Sequence, residues 1–189
     1  TFTTEAVAML FGRLPEDGAW MTRALGVDAS RAARLSSTAR RTLRARMLVF
    51  ARWVLVMTTF ERAMYQDPEQ DLGALWWQLV ERFQRVTPPD GARPTDWASK
   101  IHLATAPVYY HNYMLGEMMA SQLEEAIEAR MPGARAGGLV GHWAVGTYLK
   151  SEVFRPGKSL PWGDLVKDAT GSSLTSEAWL DQFVRDLDE

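Results

Sequence analysis

Apolar residues recur every three or four positions along most of this chain, and this spacing limits its fold more than any other feature. One run comprises Leu72, Leu75, Trp76, Leu79 and Phe83, and another comprises Leu115, Met119, Leu123 and Ile127. Residues with this spacing lie on one face of an α-helix, where they pack against a neighbouring element. Alternation of apolar and polar residues, which indicates a half-buried strand, is weak throughout. The sequence therefore predicts an all-α fold.

Capping residues, prolines and glycines divide this pattern into separate helices. Threonines that can cap a helix open the segment TTEAVAMLFGRL, and Pro88 with Pro89 ends the helix that starts near Leu72. Further helices are predicted over one long or twice-broken stretch from Asp28 to about Tyr65, from near Pro107 to about Arg130, near 143–154, and on both sides of Gly171.

The charge balance gives no indication of a nucleic-acid or membrane partner. With 23 acidic and 21 basic residues the formal charge is −2, so we predict no nucleic-acid partner. Seven arginines between Arg31 and Arg52 spread around a helix, which is typical of a solvated or ion-paired face, and we expect the acidic cluster at 124–128 to be exposed as well. The apolar segment 47–57 is interrupted by Arg52 and is shorter than the roughly 20 residues of a membrane-spanning helix, so no membrane span is predicted.

The segment SKIHLATAPVYYHNYMLGE, residues 99–117, combines basic and phenolic side chains. We expect Lys100 and His102 to point the same way from an extended segment. Tyr110 and Tyr113 are three residues apart, and Tyr109 and Tyr113 four apart, so phenols share one face of the predicted helix. A cation, an imidazole and phenols are suited to binding carbonyl oxygens or a carboxylate, although core tyrosines beside a hydrogen-bonded histidine would give the same pattern.

Several motifs resemble those of the angiotensin-converting-enzyme family of zinc peptidyl-dipeptidases, which are gluzincin metallopeptidases, and they occur in the same order along the chain. LWWQLVERFQRVTPP is similar to the family's paired tryptophans followed by a proline turn. KIHLATAPVYYHNY is similar to its lysine-x-histidine element followed by two tyrosines three apart, and LKSEVFRPGKSLPWGDLVKDATGSSL is similar to its C-terminal region. The resemblance implies that the chain is the C-terminal helical portion of a two-lobed zinc peptidase with a cleft.

The resemblance also implies roles for individual residues. TTEAVAML is similar to the family helix that carries the third zinc ligand, which would be Glu5. His102 and Tyr113 would be the catalytic residues that donate to the carbonyl oxygen, and Lys100 with Tyr110 would bind the C-terminal carboxylate of a peptide substrate. Without the resemblance, the N-terminal position of Glu5 would also suit stabilisation by the helix dipole.

Two departures from the family pattern are visible. The only histidines are His102, His111 and His142, so the family's His-Glu-x-x-His zinc motif is absent from the 189 residues. Asn112 stands where the animal enzymes have an arginine associated with chloride, so chloride activation is not expected. The spacing after His102 also leaves open whether Tyr109 or Tyr110 takes the carboxylate-binding role.

We therefore predict that residues 1–189 form a single helical region of a zinc-dependent peptidase of the dipeptidyl carboxypeptidase type. Its partners would be a peptide substrate and the N-terminal part of the same protein, which would carry the His-Glu-x-x-His helix upstream of residue 1. Without that part, the chain alone is expected to be inactive. A metal-free peptide-binding relative and a purely structural scaffold are the alternatives. The compartment stays open, with the periplasm or secretion as one alternative.

Overall fold

The computed structural model describes residues 2–134, 139 and 141–185, and every regular element within these ranges is helical. The predicted all-α class is therefore confirmed. The α-helices are α1 (Phe2–Gly12), α2 (Gly18–Leu25), α3 (Ala29–Gln66), α4 (Leu72–Gln84), α5 (Ile101–Ala104), α6 (His111–Arg130), α7 (Trp143–Tyr148), α8 (Trp162–Thr170) and α9 (Glu177–Phe183). Short 3-10 turns lie at Leu14–Glu16, Asp96–Ser99 and Gly157–Ser159, and Leu149–Phe154 is π-helical.

Side-chain caps and left-handed residues set several helix ends. The carboxylates of Asp17 and Asp71 accept hydrogen bonds of 2.9 Å from the backbone N–H groups of Trp20 and Ala74, which caps α2 and α4. Gly26, with a φ of 68°, ends α2, and α8 ends in the same way. These local signals explain why the helix pattern read from the sequence is largely correct.

Two local predictions around residues 100–111 were wrong. His102 lies within α5 rather than on an extended segment, although Lys100 itself keeps extended backbone angles. Helix α6 begins at His111 and not near Pro107, because Val108 has a left-handed backbone with a φ of 54° that interrupts a helix. The stretch from Asp28 to about Tyr65 is one unbroken helix, α3.

The chain divides into two compact units. The first unit contains the described residues of 1–44 and 115–189, and the second contains residues 45–114. The core of the first unit packs apolar residues of α1 and α6 with those of the C-terminal helices, including Leu10, Met119 and Val166. The core of the second unit packs α3 against α4 and includes Phe60, Trp76 and Leu103.

A polar cluster around Arg13 lies within the first unit, and we call it the Arg13 cluster. Arg13 forms ion pairs with Glu117 at 2.5 Å and Glu124 at 3.3 Å, and it donates to the side-chain oxygens of Gln182 at 3.0 Å and Ser121 at 3.3 Å. The side chains of Arg13 and Glu117 are only 9% and 7% exposed. Glu124 is thus largely buried at 12% exposure, which corrects the expectation that the whole acidic cluster is exposed.

None of the helices in the described ranges is long and apolar enough to cross a membrane.

Candidate active site

The second unit brings four of the predicted site residues together. Helix α5 contains His102, and Lys100 directly precedes this helix. Tyr110 directly precedes α6, and Tyr113 lies in its first turn. The imidazole Nε2 of His102 and the phenol oxygen of Tyr113 share a hydrogen bond of 2.9 Å. Both residues are partly exposed, so the pair is not enclosed in the core of the unit.

Aromatic rings surround this pair. The ring of His102 packs edge-on against Tyr110 and Tyr113, with centroid distances of 4.9 and 5.5 Å. Tyr113 also makes T-shaped contacts with Tyr110 at 5.1 Å and with Tyr109 at 5.5 Å. Edge-to-face packing of this kind restrains ring orientation, so the imidazole and the phenols form one ordered cluster. We call His102, Tyr109, Tyr110 and Tyr113 the imidazole–phenol cluster.

Trp53 of α3 contacts two of the predicted carboxylate-binding residues. The ammonium of Lys100 lies 5.7 Å from the ring centroid of Trp53 and 5.6 Å from that of Trp76, which is cation–π distance. Burial raises the pKa of the Tyr110 phenol, a hydrogen bond with the Trp53 side chain lowers it, and the nearby phenol of Tyr113 raises it. Trp53 therefore links Lys100 to Tyr110.

Glu61 of α3 supports the chain just before the phenols. Glu61 is 6% exposed, and its carboxyl group accepts a hydrogen bond of 2.5 Å from the backbone N–H of Val108. Asn112 donates its side-chain amide to the carbonyl oxygen of Tyr109 at 2.9 Å, and therefore takes part in the same turn. Helix α3 thus holds the 100–113 segment at two points: Trp53 contacts Lys100, and the buried Glu61 binds the backbone of Val108.

Glu5 belongs to the first unit, where α6 packs tightly against α1. A methyl group added at Gly116 of α6 would lie 2.9 Å from Glu5 Cβ, 3.0 Å from the sulfur of Met9 and 3.1 Å from the backbone nitrogen of Ala6. Only glycine permits this approach. The two small residues that follow Glu5 on its side of α1, Ala8 and Gly12, are exposed and take no part in this approach. Glu5 itself is half-buried.

Residues 69–187, more than half of the chain, match the carboxypeptidase Taq (M32) metallopeptidase family. The chain belongs to this family. The matched range includes Lys100, His102, Tyr110 and Tyr113, but it does not include Glu5. The metallopeptidase family predicted from the sequence motifs is thereby confirmed.

The link to the angiotensin-converting enzymes is more distant. The chain is 26% identical over 143 residues to the mouse (Mus musculus) protein named angiotensin-converting enzyme-like protein Ace3. This match covers 70% of the chain but only 18% of the mouse protein, so the chain spans less than a fifth of that relative. No solved structure matches the chain.

The M32 family implies a bound metal, but the residues described here do not form a complete metal site. Within the described ranges no three His, Cys, Asp or Glu side chains are grouped so that they could hold an ion. A catalytic zinc usually takes three protein ligands. The carboxylate of Glu5 suits one such ligand chemically, and the described residues do not place the other ligands beside it.

Trp53 and Glu61 were not predicted from the sequence to take part in this site. Glu61 carries a visible signal, because it lies four residues after Met57 and seven after Val54 and thus shares the buried face of α3. A carboxyl group on such a face requires a hydrogen-bond donor. Trp53 carries no such signal, since a tryptophan on an apolar helix face is usually part of the core.

Proposed function

We propose that this chain forms the C-terminal helical portion of a zinc-dependent peptidase that cleaves peptides near their free C-terminus, in the manner of a dipeptidyl carboxypeptidase. The match to the carboxypeptidase Taq (M32) metallopeptidase family supports a metallopeptidase that acts near the C-terminus of peptides, and the similarity to the mouse converting-enzyme-like protein agrees with the motifs of the sequence. The His-Glu-x-x-His helix would lie in a part of the protein outside residues 1–189. The chain alone would then be inactive, and the complete protein would act on peptide substrates.

The hydrogen-bonded pair of His102 and Tyr113 beside Lys100 and Tyr110 is the observation that carries this proposal. In the proposed mechanism, His102 and Tyr113 donate to the scissile carbonyl oxygen as negative charge develops on it. Lys100 supplies a positive charge and Tyr110 a phenol O–H for the terminal carboxylate of the substrate. The ring contacts that hold these groups would reduce the reorganisation needed when substrate binds.

Glu5 is proposed as the third zinc ligand. This proposal is supported by the half-buried position of Glu5 on α1, at the point where α6 approaches closely at Gly116. The metal, when bound, polarises a carbonyl and lowers the pKa of its water. As a ligand, Glu5 would direct its carboxylate toward the metal. Glu5→Gln in the complete protein should therefore lower the amount of zinc retained after dialysis. Unchanged zinc content would reject the ligand role and favour the helix-dipole interpretation.

A peptide-binding protein without a metal is the second candidate function. It is favoured by Lys100, which lies against two indole rings, because a cation held in this way can bind a carboxylate without a metal. Such a protein would use the same cation and phenols to bind a peptide carboxylate without cleaving the peptide. Tight binding of a free-carboxylate peptide with no turnover by the zinc-loaded complete protein would favour this candidate.

Kinetics on the complete protein test the proposed roles. Tyr113→Phe removes a donor that acts mainly in the transition state, so kcat should fall on the order of 10²-fold while KM changes little. Lys100→Ala removes an interaction with a carboxylate that is charged throughout the reaction, so KM should rise first. Amidation of the substrate C-terminus should mimic Lys100→Ala.

The control is Tyr65→Phe, because Tyr65 is an exposed tyrosine of α3 in the same unit. Its kcat and KM should match those of the wild type. Full turnover by Tyr113→Phe, or an identical KM for free and amidated peptides, would contradict the proposed roles of these residues.

A further inference from the structure

Val108 has a backbone conformation that valine rarely adopts. Its φ of 54° lies in the left-handed region, where a β-branched side chain clashes with its own backbone. The side chain is 62% exposed, so burial of apolar surface does little to offset this strain. Something other than valine packing must therefore hold the turn.

The carboxyl group of Glu61 provides that restraint. It is buried in the second unit and accepts a 2.5 Å hydrogen bond from the N–H of Val108, although the two residues are 47 positions apart. The N–H of a residue that precedes a helix has no partner in that helix, and a carboxyl acceptor satisfies it. The acceptor comes from the last two turns of α3 and follows Phe60 of the core, so the turn is tied to the core of the unit.

The turn at Val108 determines where the phenols begin. Tyr109 and Tyr110 follow Val108 directly, and the ring centroid of Tyr110 lies 4.9 Å from that of His102. A change of the φ of Val108 to ordinary values would redirect the chain at this point. The hydrogen bond to Glu61 therefore acts on the imidazole–phenol cluster through the backbone.

We propose that Glu61 is a positioning residue of the site: its buried carboxyl group holds Val108 in the left-handed conformation and thereby fixes Tyr110 against His102. Glu61 does not contact substrate in this proposal. The consequence for peptide binding rests on the proposed function, whereas the consequence for the conformation of the turn does not.

The first experiment compares Glu61→Gln with Glu61→Ala in the complete protein. Glutamine keeps an acceptor oxygen for the Val108 N–H, so KM for a peptide with a free C-terminus should stay within about threefold of wild type. Alanine removes the acceptor, so KM should rise about tenfold or more, with a smaller change in kcat, because Tyr110 is proposed to bind the substrate carboxylate. Equal KM values for the alanine variant and wild type would contradict the kinetic part of the proposal.

A measurement without substrate tests the turn itself. The pKa of Tyr110 is raised chiefly by burial, so a loosened turn that exposes the phenol should lower that pKa toward its ordinary value in Glu61→Ala. Nuclear magnetic resonance of tyrosine labelled at the phenol carbon follows this titration. An unchanged Tyr110 titration would overturn the positioning role. A lowered pKa with unchanged kinetics would keep the positioning role and reject the function proposed for Tyr110.

Val108→Gly supplies a variant that does not depend on the stability of Glu61→Ala. Glycine adopts the left-handed conformation without strain, so Val108→Gly should preserve or raise the melting temperature. The matched control is Val86→Gly, because Val86 is also exposed and outside a helix but does not have a positive φ. In this control the melting temperature should fall. An equal fall for both variants would show that Val108 is not strained.

The double variant completes the test. If Glu61 acts by holding a strained turn, then Glu61→Ala should cost less in a Val108→Gly background than in wild type, in both melting temperature and Tyr110 titration. Strictly additive effects of the two substitutions would overturn the coupling between Glu61 and Val108.

Discussion

Tyr148 in the first unit and Tyr110 in the second both have a raised pKa, chiefly because burial disfavours the phenolate. Their surroundings are otherwise different. The Tyr148 phenol donates to the carbonyl oxygen of Ala169 within the core, and Arg130 lies over its ring. The Tyr110 phenol has the side chain of Trp53 as a partner and lies beside a partly exposed imidazole and phenol.

The same contrast holds for the other polar groups of the two units. The Arg13 cluster joins a guanidinium to two carboxylates and two neutral side chains, so each of its charged groups has a partner within the first unit. In the second unit, Lys100 lies against two indole rings, and a cation–π contact leaves an ammonium able to bind an anion as well. The first unit thus pairs its buried charges with one another, whereas the second places a cation against aromatic rings beside partly exposed phenols.

The largest effect on stability is expected for Arg13→Ala. Removal of one partner leaves buried Glu117 without its main counter-charge, which typically costs about 3–5 kcal/mol of the free energy of unfolding. Arg185→Ala is the matched control, since Arg185 forms ion pairs with Glu177 and Asp181 on the exposed surface, and its loss should leave the denaturation midpoint nearly unchanged. Similar midpoints for the two variants would break the comparison between buried and exposed polarity.

A smaller loss is expected for Gly116→Ala. The added methyl group would overlap Glu5 Cβ at 2.9 Å and the backbone nitrogen of Ala6 at 3.1 Å, so α1 and α6 would have to separate, at a cost of about 1–3 kcal/mol. Gly12→Ala serves as the control because nothing lies within 4 Å of its added methyl group. Chemical denaturation of both variants measures the difference. If Gly12→Ala were the more destabilised, the close approach at Gly116 would be disproved.

The smallest effect concerns the phenol of Tyr110 in Trp53→Phe. Phenylalanine keeps an aromatic ring beside Lys100 but lacks the indole N–H, whose hydrogen bond lowers the pKa of Tyr110, so that pKa should rise further. The shift itself does not alter stability at neutral pH, because the phenol is protonated there in both proteins. An alkaline titration followed by ultraviolet absorbance measures the shift, and Trp162→Phe, at an exposed tryptophan of the first unit, is the control. A downward shift would contradict the contact between Trp53 and Tyr110.

Residues with strong local signals were predictable from the sequence. The spacing of Leu115, Met119, Leu123 and Ile127 located α6, since these residues line its buried side, and the lysine, histidine and tyrosine pattern located four residues that the second unit groups together. The start of α6 was mispredicted because the conformation of Val108 depends on Glu61, which is 47 residues away in sequence. The ion pair between Arg13 and Glu124 was missed for the same reason. Contacts between distant segments leave no periodic trace in the sequence.

The position of Lys100 between Trp53 and Trp76 also gives this site an optical property. The emission of an indole depends on the electric field across its ring, and a unit charge 5.6–5.7 Å from two ring centroids contributes strongly to that field. An anion that bound Lys100 would partly cancel this charge or draw it away from the rings. Binding of an anion at Lys100 should therefore change the emission of Trp53 and Trp76, two of the eight tryptophans, without a label and without turnover.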